Sequence, residues 1–152
     1  SDSISIPWSP RLTPSRFTLR TWLKLENYPA GFGVVFANYG GNYQGWYVAV
    51  QSDGRVLFSL NRLPASYRRV LSSSALDLNR WYRLTVTYDG RTQSAAVYLD
   101  GVLEGEAIVA GLTPQDSGIA SIAKASWHNG YRLAFSIDET ELIPGVWPPA
   151  VQ

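Results

Sequence analysis

The sequence predicts an all-β domain made of two antiparallel sheets packed against each other as a sandwich. Apolar and polar side chains alternate with a period of two along the longer runs, turn residues centred on Gly separate those runs at short spacing, and no segment carries the periodicity of a three-turn amphipathic helix. A closed barrel is the second architecture compatible with the pattern.

The run FTLRTWLKL at 17–25 puts Phe17, Leu19, Leu23 and Leu25 on one face and Thr18, Arg20, Trp22 and Lys24 on the other, as a strand with one buried face requires. WYRLTVTY at 81–88 repeats the alternation with Tyr82, Leu84, Val86 and Tyr88, and 93–99 repeats it again. Ser52-Asp53-Gly54, Tyr88-Asp89-Gly90 and Asp100-Gly101 read as turns in which Gly takes a positive φ at no steric cost. In order, strands are expected near 3–6, 17–25, 33–37, 46–51, 55–60, 68–71, 81–88, 93–99, 102–109, 118–123 and 132–143, each with one polar face. Residues 1–143 form a single domain in this reading, and the Pro-rich stretch 144–152 leads out of it.

Composition bounds the function. At 152 residues and 45% hydrophobic the chain buries one sizeable core and not two. Charged residues make up 16% and aromatics 13%, so surface polarity has to come from Ser, Thr, Asn, Gln and Gly, a mix common in secreted β-proteins that handle sugars. Acidic and basic residues balance to a net charge of +1, which argues against nucleic acid or membrane as partner. Only Lys24 and Lys124 among the 13 basic residues are Lys; the rest are Arg, whose planar donors suit carboxylate and sulfate groups as well as reflecting base composition. With no Cys there is no disulfide, thiolate metal site or Cys nucleophile, and no run of about 18 apolar residues offers a membrane span. The chain has no Met and reads as a monomeric domain of a longer, secreted or surface protein.

Read in order, SISIP at 3–7, FTLRTWLKL at 17–25, WYVAV at 46–50, SDGRV at 52–56, WYRLTVTYDG at 81–90, VYLDGV at 97–102 and FSIDE at 135–139 resemble laminin-G-like and concanavalin A-like lectin/glucanase-superfamily modules over nearly the whole chain. The resemblance implies a jelly-roll sandwich, often with one structural Ca²⁺ and a glycan or protein ligand; the fold does not choose between ligands. For the metal, it implies Asp2 and Asp138 side by side, with carbonyls and water completing six to eight oxygens. For catalysis, superfamily glucanases mount two carboxylates at alternate positions of one strand; here only Glu139 and Glu141 share that parity, and Thr140 stands where the assisting Asp would be. His128 is the sole histidine and no GxSxG elbow accompanies it. A catalytic role is therefore not expected.

Sugars stack on aromatic rings and pair with amides and guanidinium groups. Two Gly-rich loops combine these: 38–46, with Tyr39, Asn42 and Tyr43, and 124–132, with Trp127, His128, Asn129 and Tyr131. A third, 61–69, offers Tyr67 and Arg68 to an anionic group. The same aromatics would equally lid the ends of the core. Trp22 and Trp81 fall on the polar faces of their strands beside Arg20 and Arg83, as a sugar platform would place them, but as frame positions of the resemblance they are expected to serve packing. The expected function is a non-catalytic carbohydrate-binding, lectin-like module for a polysaccharide or glycan; the alternative is a protein-interaction or adhesion module of the same fold.

Overall fold

The computed structural model describes residues 4–7, 9, 15–40, 44–62, 66–109, 120–123 and 133–149. Within them the chain forms β1 (Ile4–Ile6), β2 (Arg16–Leu25), β3 (Phe32–Gly40), β4 (Gln44–Gln51), β5 (Arg55–Arg62), β6 (Ser66–Ala75), β7 (Trp81–Asp89), β8 (Ser94–Leu99), β9 (Val102–Ile108), β10 (Ala120–Ile122) and β11 (Phe135–Pro144). Every expected strand is present. Two antiparallel sheets result, one ordered β1-β10-β3-β4-β5-β6 and the other β11-β2-β7-β8-β9.

The core lies between the sheets and is assembled from the faces that alternation marked. Phe17, Leu19, Leu23 and Leu25 of β2 and Tyr82, Leu84, Val86 and Tyr88 of β7 meet Trp46, Val48 and Val50 of β4. Phe17 stacks on Trp46 with ring centroids 4.5 Å apart and meets Tyr88 at 5.7 Å, while Phe36 stacks on the same indole at 5.2 Å. Truncating such a buried ring costs about 3–5 kcal/mol, so Phe17 is a principal contact holding the two layers together.

Three details depart from the expectation. The loops at 38–46 and 61–69 are shorter than their Gly, Asn and Arg content suggests, because the β3–β4 ladder runs on to Gly40 opposite Gln44 and the β5–β6 ladder to Arg62 opposite Ser66. Strand pairing there overrides local turn preference. The six-stranded sheet is apolar on both faces rather than one: Val34, Ala37, Tyr47, Ala49 and Leu57 form a second buried cluster away from the main core. Finally, Gly54 and Gly101 adopt the positive φ foreseen, both at 83°, but Gly90 does not; Gln93 takes the left-handed position in that turn, at 54°. Gly90 is required by close approach instead, since a Cβ would stand 2.6 Å from the Ser15 carbonyl oxygen that its own N–H binds at 2.8 Å.

One edge of the sandwich is stitched. Glu104 of β9 accepts hydrogen bonds from the Ser73 hydroxyl at 2.6 Å and the Ser74 N–H at 2.7 Å of β6, joining strands of different sheets. Burial alone would raise its pKa, but the Ser73 and Ser74 bonds outweigh that and hold the carboxyl below its ordinary value.

Candidate functional site

The outer face of the five-stranded sheet carries the alternate residues of β2 and β7, set opposite each other by an unbroken register: Thr18 faces Thr87, Arg20 faces Thr85, Trp22 faces Arg83 and Lys24 faces Trp81. Opposed positions of an antiparallel pair interact directly. Accordingly the Arg83 guanidinium lies 5.9 Å from the Trp22 ring centre and the Lys24 ammonium 5.1 Å from that of Trp81. Trp81 stays 41% exposed at the margin of this face.

The chain after β11 folds back across this face. The Gly145 N–H donates to the Arg16 carbonyl at 2.9 Å, the Thr18 hydroxyl donates to the Gly145 carbonyl at 2.9 Å, and the Trp147 N–H donates to that same hydroxyl at 2.8 Å. Arg20 Nη2 then donates to the Trp147 carbonyl at 2.8 Å. These bonds lay Pro148 and Pro149 along the sheet toward the Asp100-Gly101 turn.

Between that segment and the sheet lies a groove of about 570 Å³, with Trp22, Arg20, Arg83 and Thr85 on the strands and Pro148 and Pro149 opposite. The size is that of a small-ligand site. Asp100 closes one end, its Oδ1 accepting the Arg83 N–H at 2.8 Å and its Oδ2 accepting from Arg80 Nη2 at 2.9 Å. A flat ring, two forked donor groups and a fixed carboxylate around one opening match the groups that recognise a sugar. A narrower recess of about 90 Å³ adjoins it, where Glu139 and Glu141 join Arg20, Trp22 and Arg83; it has room for water rather than a sugar ring.

Glu139 and Glu141 thus face the same recess, as their parity predicted, but across a register shift between Asp138 and Glu141, with Glu139 at a φ of 47°. Both are exposed, and Thr140 between them spends its hydroxyl on Thr21 Oγ1 at 2.8 Å.

Of the residues singled out by sequence, Asn42, Tyr43, Trp127, His128, Asn129, Tyr131 and Asp2 lie outside the described residues. Tyr39 and Tyr67 sit on strands, opposite Gly45 and Asn61, with side chains outside the described set. Arg68 is exposed on β6, in the other sheet from the groove. Asp138 is exposed on β11 opposite Trp22, its Oδ1 accepting the Glu139 N–H at 2.8 Å. One carboxylate falls well short of the six to eight oxygens that Ca²⁺ takes, and no group of three or more acidic, His or Cys side chains suited to a metal occurs among the described residues. What sequence reading passed over is the groove itself. Parity had put Arg20, Trp22 and Arg83 on one face, and that was the available signal.

The sequence matches the concanavalin A-like lectin/glucanases superfamily, by its Laminin_G_3 family, over residues 1–149. Among curated proteins none matches. The fold is similar to the native heptameric SAP-like pentraxin of Limulus polyphemus, with a TM-score of 0.65 at 16% identity, covering 92% of this chain and 74% of that one. It is also similar to the botulinum neurotoxin serotype G binding domain, with a TM-score of 0.68 at 15% identity over 95% of this chain and 42% of that one. A third similar structure is the binding domain of botulinum neurotoxin DC in complex with SialylT, at a TM-score of 0.65 and 16% identity, covering 88% of this chain and 33% of that one. The chain spans less than half the length of either neurotoxin domain.

Proposed function

We propose, from the premise that this chain belongs to the concanavalin A-like lectin/glucanases superfamily, that it is a non-catalytic carbohydrate-binding module of a secreted or surface protein. The observation that carries the reading is the groove in which Trp22, Arg20, Arg83 and Thr85 converge under Pro148 and Pro149. A similar domain in complex with SialylT supports a glycan as ligand. Glu139 and Glu141 are set aside as catalysts because both are exposed, lack an apolar enclosure for a general acid, and share a recess too small for a scissile linkage. The aromatic loops at 38–46 and 124–132 are part of the same proposal as further sugar contacts, and one structural Ca²⁺ at Asp138 and Asp2 is a separate element of it.

Affinity electrophoresis against a panel of soluble polysaccharides tests the reading. Retardation of the wild-type chain by at least one of them, weakened about tenfold or more by Trp22→Ala, is expected, because loss of a stacked ring and its contact area costs over about 1.4 kcal/mol. Trp81→Ala, which alters an exposed ring at the margin, guards against a folding artefact. Unchanged mobility on every polysaccharide, together with capture of a protein ligand, would replace the reading by an adhesion module of the same fold.

A further inference from the structure

We infer that the groove takes an acidic sugar residue, its carboxylate or sulfate held between Arg83 and Arg20 while its ring lies against Trp22. This narrows the glycan-binding reading and rests on it. The charges around the groove carry it. Asp100, the carboxylate on its rim, has both oxygens engaged, one by the Arg83 N–H and the other by Arg80. Arg80 thereby balances Asp100 from outside the groove lining.

Arg20 and Arg83 make no such ion pair, although Glu141 stands opposite Arg20 in the β11–β2 register and Glu139 shares their recess. The ion pairs among the described residues involve Arg16, Arg55, Arg80 and Arg91, with no carboxylate within 4.0 Å of either groove guanidinium. Each guanidinium offers five N–H donors. Arg20 gives one to the Trp147 carbonyl, and Arg83 rests over the Trp22 ring. Because Arg20 stands opposite Thr85, and Arg83 opposite Trp22, the two arginines are diagonal neighbours on adjacent strands. Diagonal positions are about 7–8 Å apart at the backbone, close enough for both side chains to reach one anion.

Two like charges sharing a partly enclosed groove repel, and an anion between them converts that repulsion into charge-assisted, forked hydrogen bonds. Glu139 and Glu141, which share the narrow recess with both arginines, offset part of their charge from the β11 side, so an anion has to approach from the β7 side. The wide part of the groove opens toward β7 and the Asp100-Gly101 turn. With a net charge of +1 the chain has no general attraction for polyanions, so the selectivity resides in the groove.

The test compares binding of the whole chain to a polyuronate, a sulfated galactan, a neutral galactan and poly-L-glutamate by isothermal titration, for wild type, Arg83→Gln, Arg83→Lys and Trp22→Ala, with melting curves to confirm folding. The wild type should prefer the polyuronate or the sulfated galactan over the neutral chain by about tenfold or more; whichever is preferred identifies the anionic group. Arg83→Gln should abolish that preference, and Arg83→Lys should restore only part of it, since a point charge lacks the fork. Equal binding of neutral and acidic galactans that survives Arg83→Gln would overturn the acidic-sugar inference and leave glycan binding standing. Poly-L-glutamate bound as tightly as the acidic polysaccharides would also overturn it, reducing the groove to a cationic patch. Binding to none of the polysaccharides would remove the glycan reading and this inference with it.

Discussion

Asp89 shows how one side chain can settle where three segments meet. It is buried at the end of β7, where Oδ2 accepts from Arg16 Nε at 3.1 Å and from Arg91 Nη2 at 3.5 Å, and Oδ1 accepts the Arg91 N–H at 2.9 Å. Burial pushes its pKa up, but the bonds from Arg91 and Arg16 outweigh burial and hold the carboxyl below its ordinary value of 3.8. A folded-state pKa below the unfolded one adds stability that is complete above the ordinary value and is lost as the pH falls through the depressed one. Asp89→Asn is therefore expected to cost about 1 kcal/mol at pH 7, the two arginines being partly solvated. That corresponds to a melting temperature lower by about 2–4 °C for a chain of this size. The gap should be full above about pH 5 and close as the solution is acidified below 3.8. A gap of constant size from neutral to acid pH would show that the amide loses shape rather than charge.

At the scale of elements, β2 explains both what the sequence discloses and what it withholds. Its alternation gives Phe17, Leu19, Leu23 and Leu25 to the core at sight, because period-two burial is written locally. The partner of Thr18 is not, since the hydroxyl binds Gly145 and Trp147, well over a hundred positions along the chain, and no local pattern announces such a contact. The chain after β11 looks in sequence like an exit, being rich in Pro, yet it forms one wall of the groove. The surroundings of Trp22 were hidden for a related reason: parity showed its face, but only the β2–β7 register sets Arg83 opposite it. Thr18→Val tests the tether, removing both bonds at nearly constant volume and costing about 1 kcal/mol for each. Faster amide exchange at Trp147, unchanged exchange at Leu19 and Val86, and weaker ligand binding are expected together. Equal protection of Trp147 in both proteins would mean that Arg20 and the Arg16 carbonyl hold the segment without Thr18.

The whole molecule has two seams where its sheets meet, and they differ. At one, β6 and β9 approach so closely that a Cβ on Gly105 would stand 2.5 Å from the Leu71 carbonyl oxygen, and Glu104 bridges to Ser73 and Ser74. The strand orders place β1 and β11 at the opposite seam. There β1 is only three residues long, mostly exposed and paired to β10 alone, while β11 is interrupted by the shift after Asp138. An ion held by Asp138 and by Asp2, two residues ahead of β1, would cross-link the weaker seam as Glu104 does the other. Its stabilisation would follow mass action: about 2.7 kcal/mol with free Ca²⁺ at a hundred times the dissociation constant, or about 5–11 °C in melting temperature. Chelation with EDTA should therefore lower the melting temperature of the wild type and leave that of Asp138→Asn unmoved, with added Mg²⁺ failing to restore the loss, since its stricter octahedral shell suits such a flexible site poorly. Identical melting curves for the wild type with and without chelator would remove the metal, and among the described residues β1 would then be held by its ladder to β10 and by Ile6 packed on the core.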